Sequence, residues 1–439
     1  MTDPTPSSVA CRRTYIDGGF VPATVRFVDG IITAVDAFDP DADIVIDDTL
    51  VLLPGLVDSH VHLNEPGRSH WEGFATGTAA AAAGGITTVV EMPLNSVPVT
   101  TTPAALAAKR EVASGQLAVD VAYWGGAVPE NLGSLGDLLD AGVVGVKCFT
   151  APSGIDEFGH LDAHQIEAAL TELAERDGLL IVHAEDEEHL DDAHGPVFRD
   201  FVATRPAIAE VSAIRSVIGA ARRTGARAHI VHIAAADALD DLRAARAEGV
   251  RITAETCPHY LTLRAEDVPD GAGTFKCCPP IRDGANQDLL WDAVLDGTIA
   301  AIVSDHSPAT ADLKQKADLG EAWGGIAGVQ TGLSTVWTEA RRRGAPLERI
   351  LPLFTTGPAD LVRLPGRGRI APGSAAHLAV FDPDLEFTID ASTLEYRNKL
   401  SPWHGAHLTG AVVETWLHGR PVYRRGEGVL VREGREVLA

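Results

Sequence analysis

The chain has 439 residues, 45% of them hydrophobic, enough for a large core and a second, smaller unit beside it. Thirty-six basic against 61 acidic residues leave a formal charge of −25, an acidic surface that argues against nucleic acid or anionic membrane as partners. Five cysteines without zinc-finger spacing, no apolar run of transmembrane length and a polar start, MTDPTPSSVA, without the regions of a secretory signal lead us to expect a soluble cytoplasmic protein with reduced thiols.

From about Tyr15 to Leu53 the chain reads as short strands and turns. Gly18-Gly19 and Asp29-Gly30 punctuate Thr24–Val28 and Ile31–Val35, and Asp43–Ile46 follows. The middle alternates apolar, β-rich runs with Ala-, Glu- and Arg-rich segments of helical composition. The runs are Leu56–His62, Ile86–Met92, Val119–Trp124, Val143–Phe149, Leu179–His183, Ala228–Ile233, Arg251–Cys257 and Ile299–Asp305; the intervening segments include Phe74–Ala83, Asp162–Arg176, Glu210–Thr224 and Ala236–Glu248. That order and size predict a (β/α)8 barrel, an α/β fold. A doubly wound open sheet is the alternative, weakened because no Gly-x-Gly-x-x-Gly turn follows the first strand. From about Arg369 strands return at His377–Phe381, Ala411–Leu417 and Val422–Tyr423, so both ends are expected to build one composite β-sandwich. The expected division is 1–53 and 369–439 for that domain and 54–368 for the barrel.

Barrel enzymes carry their chemistry at the C-terminal ends of the strands. Here those ends offer His60 and His62 (strand one), Lys147 (four), His183 (five), His232 (six) and Asp305 (eight). Residues i and i+2 of a strand share a face, so His60 and His62 project together. Each member alone reads more readily as a hydrogen-bonded core residue or a cap. Together, on five different strand ends, they point to metal. Lys147 cannot ligate a cation as an ammonium, but burial favours its neutral amine, which adds carbon dioxide to become a bridging carbamate. The expected centre is binuclear: His60, His62 and Asp305 on one divalent ion, His183 and His232 on the other, N6-carboxylated Lys147 and a hydroxide between. Zinc suits these ligands, and cobalt or manganese would also be accommodated. His229, three residues before His232, has opposite strand parity and is expected to turn away. His259 and His306 lie near the rim as candidates for contacts behind the ligands or to substrate. Gly324-Gly325 and Pro279-Pro280 either present backbone groups to a planar amide or merely punctuate loops.

This set, with HLNEPGRSHWEGFATGTAAAAAGGITTVVEMPLN, KCFTAPSG, ETCPHYLTL, CPPIRD, VSDHSP and WGGIAGVQ, resembles the cyclic amidase branch of the amidohydrolase superfamily over about Val28 to Tyr423. Dihydroorotases of that branch carry an Arg where this chain has Asn64, and dihydropyrimidinases a Tyr where it has Pro152. The remaining resemblance is to the allantoinase group, with a dihydropyrimidinase or hydantoinase as the alternative. It implies hydrolysis of the ring amide of allantoin to allantoate by the bridging hydroxide, with Asp305 as general base and then acid. It further implies a homotetramer and substrate contacts from the backbone around Cys278 and Gly324, Cys278 standing where relatives commonly have Ser. Asn95 and His306 complete the candidate substrate-contact set. A non-catalytic relative would have lost ligands, and all six positions are filled.

Overall fold

The computed structural model describes residues 7–439. Residues 1–6, which belong to the polar start and to the first expected domain segment, lie outside the described residues. Eight parallel strand positions close into a barrel, each at the place the apolar runs mark. Leu56–Val61, Ile86–Glu91 and Asp120–Tyr123 form one run of neighbours; Gly125–Gly126, Val146–Phe149, Leu179–His183, Arg227–Ile230, Ile252–Thr256 and Ala301–Ile302 form the other. The third strand belongs to both runs, broken at Trp124, whose indole N–H donates to Ser59 O at 2.8 Å. The eighth strand meets the first through the His62 N–H, which donates to His306 O at 2.8 Å, and through a bridge between Val61 and His306.

The helices follow local signals. Thr102 caps Pro103–Ala113 by accepting from the Ala105 N–H, with proline at the first helical position, where its missing N–H costs nothing. Asp162 and Gln165 form a reciprocal capping box on Ala163–Ala174. In Phe74–Ala83 the run Ala79–Ala83 is buried, small side chains letting the helix lie close to the barrel wall.

Both ends of the chain build one nine-stranded sheet. Its hinge is Val51–Pro54, paired parallel to Ser8–Ile16 and antiparallel to Leu378–Thr388. The two halves fold over a shared core of Val9, Cys11, Val25, Ile32, Leu52, Leu378, Val380 and Trp416, giving the expected sandwich as a single curled sheet. From Pro54 the chain passes through Gly55 straight into the first barrel strand. A Cβ at Gly55 would overlap Thr87 Oγ1 and lie 2.5 Å from Thr87 Cγ2.

One stretch of the tail leaves this sheet. The Val121 N–H donates to Arg435 O and the Val437 N–H to Val121 O, each at 2.9 Å, so residues 435–437 pair with the third barrel strand. Among the described residues all five cysteines are free, and no helix is long and apolar enough to cross a membrane.

Candidate active site

The six strand-end side chains converge at a cavity of about 320 Å³, five of them lining it and the fully buried His60 lying behind. His60, His62, Lys147, His183, His232 and Asp305 are each 7% exposed or less. The His60 Nε2 atom lies 3.2 Å from Asp305 Oδ1 and 3.1 Å from Lys147 Nζ, and His62 Nε2 lies 3.5 Å from Asp305 Oδ1. On the other side, His183 Nδ1 is 3.0 Å from His232 Nε2. Ligand atoms of His60, His232 and Asp305 all fall within 4.8 Å of one another.

Carboxylates behind two of the rings fix their tautomers. His60 Nδ1 sits 2.7 Å from the buried Glu255 carboxylate, so it donates there and its Nε2 lone pair faces Asp305. His183 Nε2 donates to Glu185 at 2.8 Å, so its Nδ1 lone pair faces His232. The Nδ1 atom of His232 is buried and without a partner. Imidazole nitrogens and a carboxylate oxygen thus crowd one buried centre, an arrangement suited to binding cations. Burial pushes the Lys147 ammonium down to about 8, which favours the neutral amine a carbamate requires. This donor set, imidazole and carboxylate oxygen beside a lysine whose charge burial disfavours, fits divalent metal.

The two carboxylates behind the ligands are held as anions against their burial. Hydrogen bonds from His229 and His60 bring Glu255 down to about 2, and His183 with Arg205 does the same for Glu185. His229 therefore does not turn away from the site: its Nε2 lies 3.0 Å from Glu255 Oε2 and its Nδ1 2.7 Å from Thr253 Oγ1. The parity reading misled because the sixth strand ends at Ile230, and His232 reaches the centre on left-handed backbone (φ 39°) beyond it.

Of the candidate substrate contacts, Asn95, Cys278 and Gly324 line the cavity. Asn95 also approaches His62, its Nδ2 standing 3.4 Å from Nδ1. The His306 ring does not line the cavity. It is fully buried, accepts from the Gly328 N–H at 3.2 Å, lies 3.3 Å from Glu72 and packs on Tyr396. Among the described residues the fully buried His259 finds no partner for either ring nitrogen. Pro152 is on the cavity wall, whereas Asn64 is buried beside it with its amide 3.5 Å from Pro308 O.

Sequence reasoning missed Glu255, Glu185, Arg205 and Lys276. Glu255 is on the seventh strand, one of three strand ends (two, three and seven) without an assigned role, and Glu185 follows His183 by two residues. Arg205 and Lys276 sit in loops and carry no periodic signal. Arg205 lines the cavity and holds Glu185 through Nε and Nη2 at 3.0 and 2.7 Å.

Residues 51–422 match the Amidohydrolase family. The chain is 52% identical over 424 residues to an allantoinase of Streptomyces avermitilis, covering 94% of this chain and 95% of that one. It is 41% identical over 450 residues to an allantoinase of Saccharomyces cerevisiae, covering 96% of each. Among solved structures, an L-hydantoinase (dihydropyrimidinase) from Arthrobacter aurescens superposes with a TM-score of 0.93 at 29% identity, covering 99% of this chain and 100% of that one. A dihydropyrimidinase from Brevibacillus agri NCHU1002 gives 0.89 at 27% identity, covering 98% of each.

Proposed function

The chain belongs to the amidohydrolase family, and from that premise we propose that it hydrolyses the hydantoin ring amide of allantoin to give allantoate at a two-metal centre. The observation that carries the hydrolytic reading is the convergence of His62, Lys147, His183, His232 and Asp305 on one cavity, with His60 packed against Asp305 and Lys147 behind them. Similarity to allantoinases over nearly the full chain supports the choice of ring.

In this reading His60, His62 and Asp305 would hold one divalent ion and His183 and His232 the other, with an N6-carboxylated Lys147 as a shared ligand; zinc is the first choice. When bound, such ions would lower the pKa of water at the site and polarise an amide carbonyl. Asp305 takes the proton of the attacking water on its carboxylate and delivers it to the departing ring nitrogen. Its oxygen already lies among the ligand nitrogens, so the transfer needs no long movement. Glu255 and Glu185 keep His60 and His183 in the tautomers that leave their inner nitrogens free. Backbone groups of Cys278 and Gly324 hold the ring, with Asn95 beside His62. The proposal extends to a homotetramer in the cytoplasm, supported by the sequence resemblance and checked by sedimentation velocity and cell fractionation.

The deciding experiment is elemental analysis of the purified protein alongside hydrolysis assays with allantoin, hydantoin, dihydrouracil and dihydroorotate. We expect two divalent ions per chain and allantoin as the preferred substrate. Preference for dihydrouracil overturns the substrate. Full metal content and activity in Lys147→Ala overturns the bridging role.

A further inference from the structure

Lys314 ends the short helix Ala311–Lys314 and is 4% exposed. Burial pushes its ammonium down to about 7, and no carboxylate among the described residues opposes that. Its three N–H donors go instead to three backbone carbonyls: Lys276 O at 3.0 Å, Trp323 O at 2.8 Å and Gly325 O at 2.6 Å. An ammonium has three donors, so these acceptors satisfy it fully. Burying an unpaired charge is costly, and an apolar side chain would fill the same space without that cost. What the charge does is therefore to be sought in the carbonyls it holds. They belong to the two segments, around Lys276 and across Trp323 to Gly325, that wall one side of the cavity.

A trans peptide is planar, and its C=O and N–H point in opposite directions. The Trp323 carbonyl faces Lys314, so the Gly324 N–H of the same peptide faces away from it. Gly324 lines the cavity and Lys314 does not, which puts the peptide between the two. The neighbouring amides are engaged, Trp323 N–H with Leu313 O and Gly325 N–H with Lys276 O, each at 2.9 Å. Among the described residues the Gly324 N–H has no acceptor. A second buried ammonium reinforces the loop, since Lys276 Nζ donates to Ala322 O at 2.7 Å.

We propose that Lys314 is a positioning residue whose ammonium fixes the Trp323–Gly324 peptide, so that the Gly324 N–H is held ready to donate to a ring carbonyl of the substrate. The cation at the carbonyl end also polarises the peptide and strengthens the N–H as a donor. The proposal rests on the reading of the cavity as a site for a cyclic ureide, and adds the group that prepares its backbone donor.

The test is Lys314→Met in the metal-loaded enzyme, read by steady-state kinetics, metal content and hydrogen–deuterium exchange. With a prepared donor lost from both ground and transition states, KM for allantoin should rise about tenfold or more and kcat change by less than about twofold. Metal content should be unchanged, and amide exchange should quicken across residues 320–325. Lys314→Gln, which keeps one donor group, should fall between. Wild-type KM together with wild-type exchange in Lys314→Met overturns the proposal, as does loss of kcat at constant KM. If Lys314→Met does not fold, Lys314→Gln is judged by the same two readouts. A wild-type enzyme inert towards every cyclic ureide defeats the functional reading alone, and the exchange comparison still decides whether Lys314 fixes the loop.

Discussion

Two of the proposed ligands stand on backbone that strands do not provide: His232 at φ 39° and Asp305 at φ 41°. Non-glycine residues in this left-handed region are uncommon and gather at functional sites, where the surroundings hold them in place. Behind the ligands, Glu255 links His60 to His229, and His229 to Thr253, in one buried chain. If that carboxylate sets the basicity and orientation of His60, Glu255→Gln should weaken metal binding about tenfold to a hundredfold, measured by chelator competition. Unchanged affinity would show that the chain serves packing only. The six proposed ligand positions stood out in the sequence because they stand at or near the ends of five apolar runs, His60 and His62 sharing one. Glu255 and the true place of His229 did not, because their roles depend on contacts between strands far apart in the chain and on a strand that stops two residues before His232.

At the scale of elements, the passage from the sheet into the barrel is a single residue, Gly55, whose N–H donates to His377 O at 2.8 Å. A side chain there would press on the buried Thr87 of the second barrel strand. Gly55→Ala should cost about 1–3 kcal/mol of stability through overpacking. Thr87→Ala removes the two atoms closest to the new Cβ, so the double variant should recover part of that loss. Thermal or denaturant melts of the two single variants and the pair check this, and strictly additive losses would refute it. The barrel strands were readable from composition because their apolar runs are bounded by turns. The same runs overstate strand length: Ile299–Asp305 yields only Ala301–Ile302 as strand, the rest bending to deliver Asp305. Most of the strand Ser8–Ile16 went unread because Arg12-Arg13-Thr14 interrupts its apolar run, with Arg12 exposed and Thr14 buried.

At the scale of the molecule, Asp120 ties the third barrel strand to three other segments. Its buried carboxylate accepts from Arg367 at 2.8 Å, from His418 at 3.2 Å and from the Arg435 N–H at 2.9 Å, with His377 3.7 Å away. Burial pushes His377 down to about 3, so the folded protein keeps this imidazole neutral in mild acid. The unfolded chain, with a histidine near 6.5, takes up the proton that the folded one refuses. Stability should therefore fall from about pH 6.5 downwards, by about 1.4 kcal/mol per unit from this residue, and His377→Gln should lose less between pH 7 and 5 in denaturant melts. Equal acid sensitivity in both proteins would assign the loss to other groups. The cluster was invisible in the sequence because its members are scattered over more than half the chain. Its geometry also sets a timetable for the growing polypeptide. Asp120 leaves the ribosome 315 residues before Arg435, and Leu53 long before its partner Ala379. Neither the third barrel strand nor the hinge of the sheet can be completed during most of translation, so the exposed apolar edges of the unfinished barrel must be shielded until the last segments arrive.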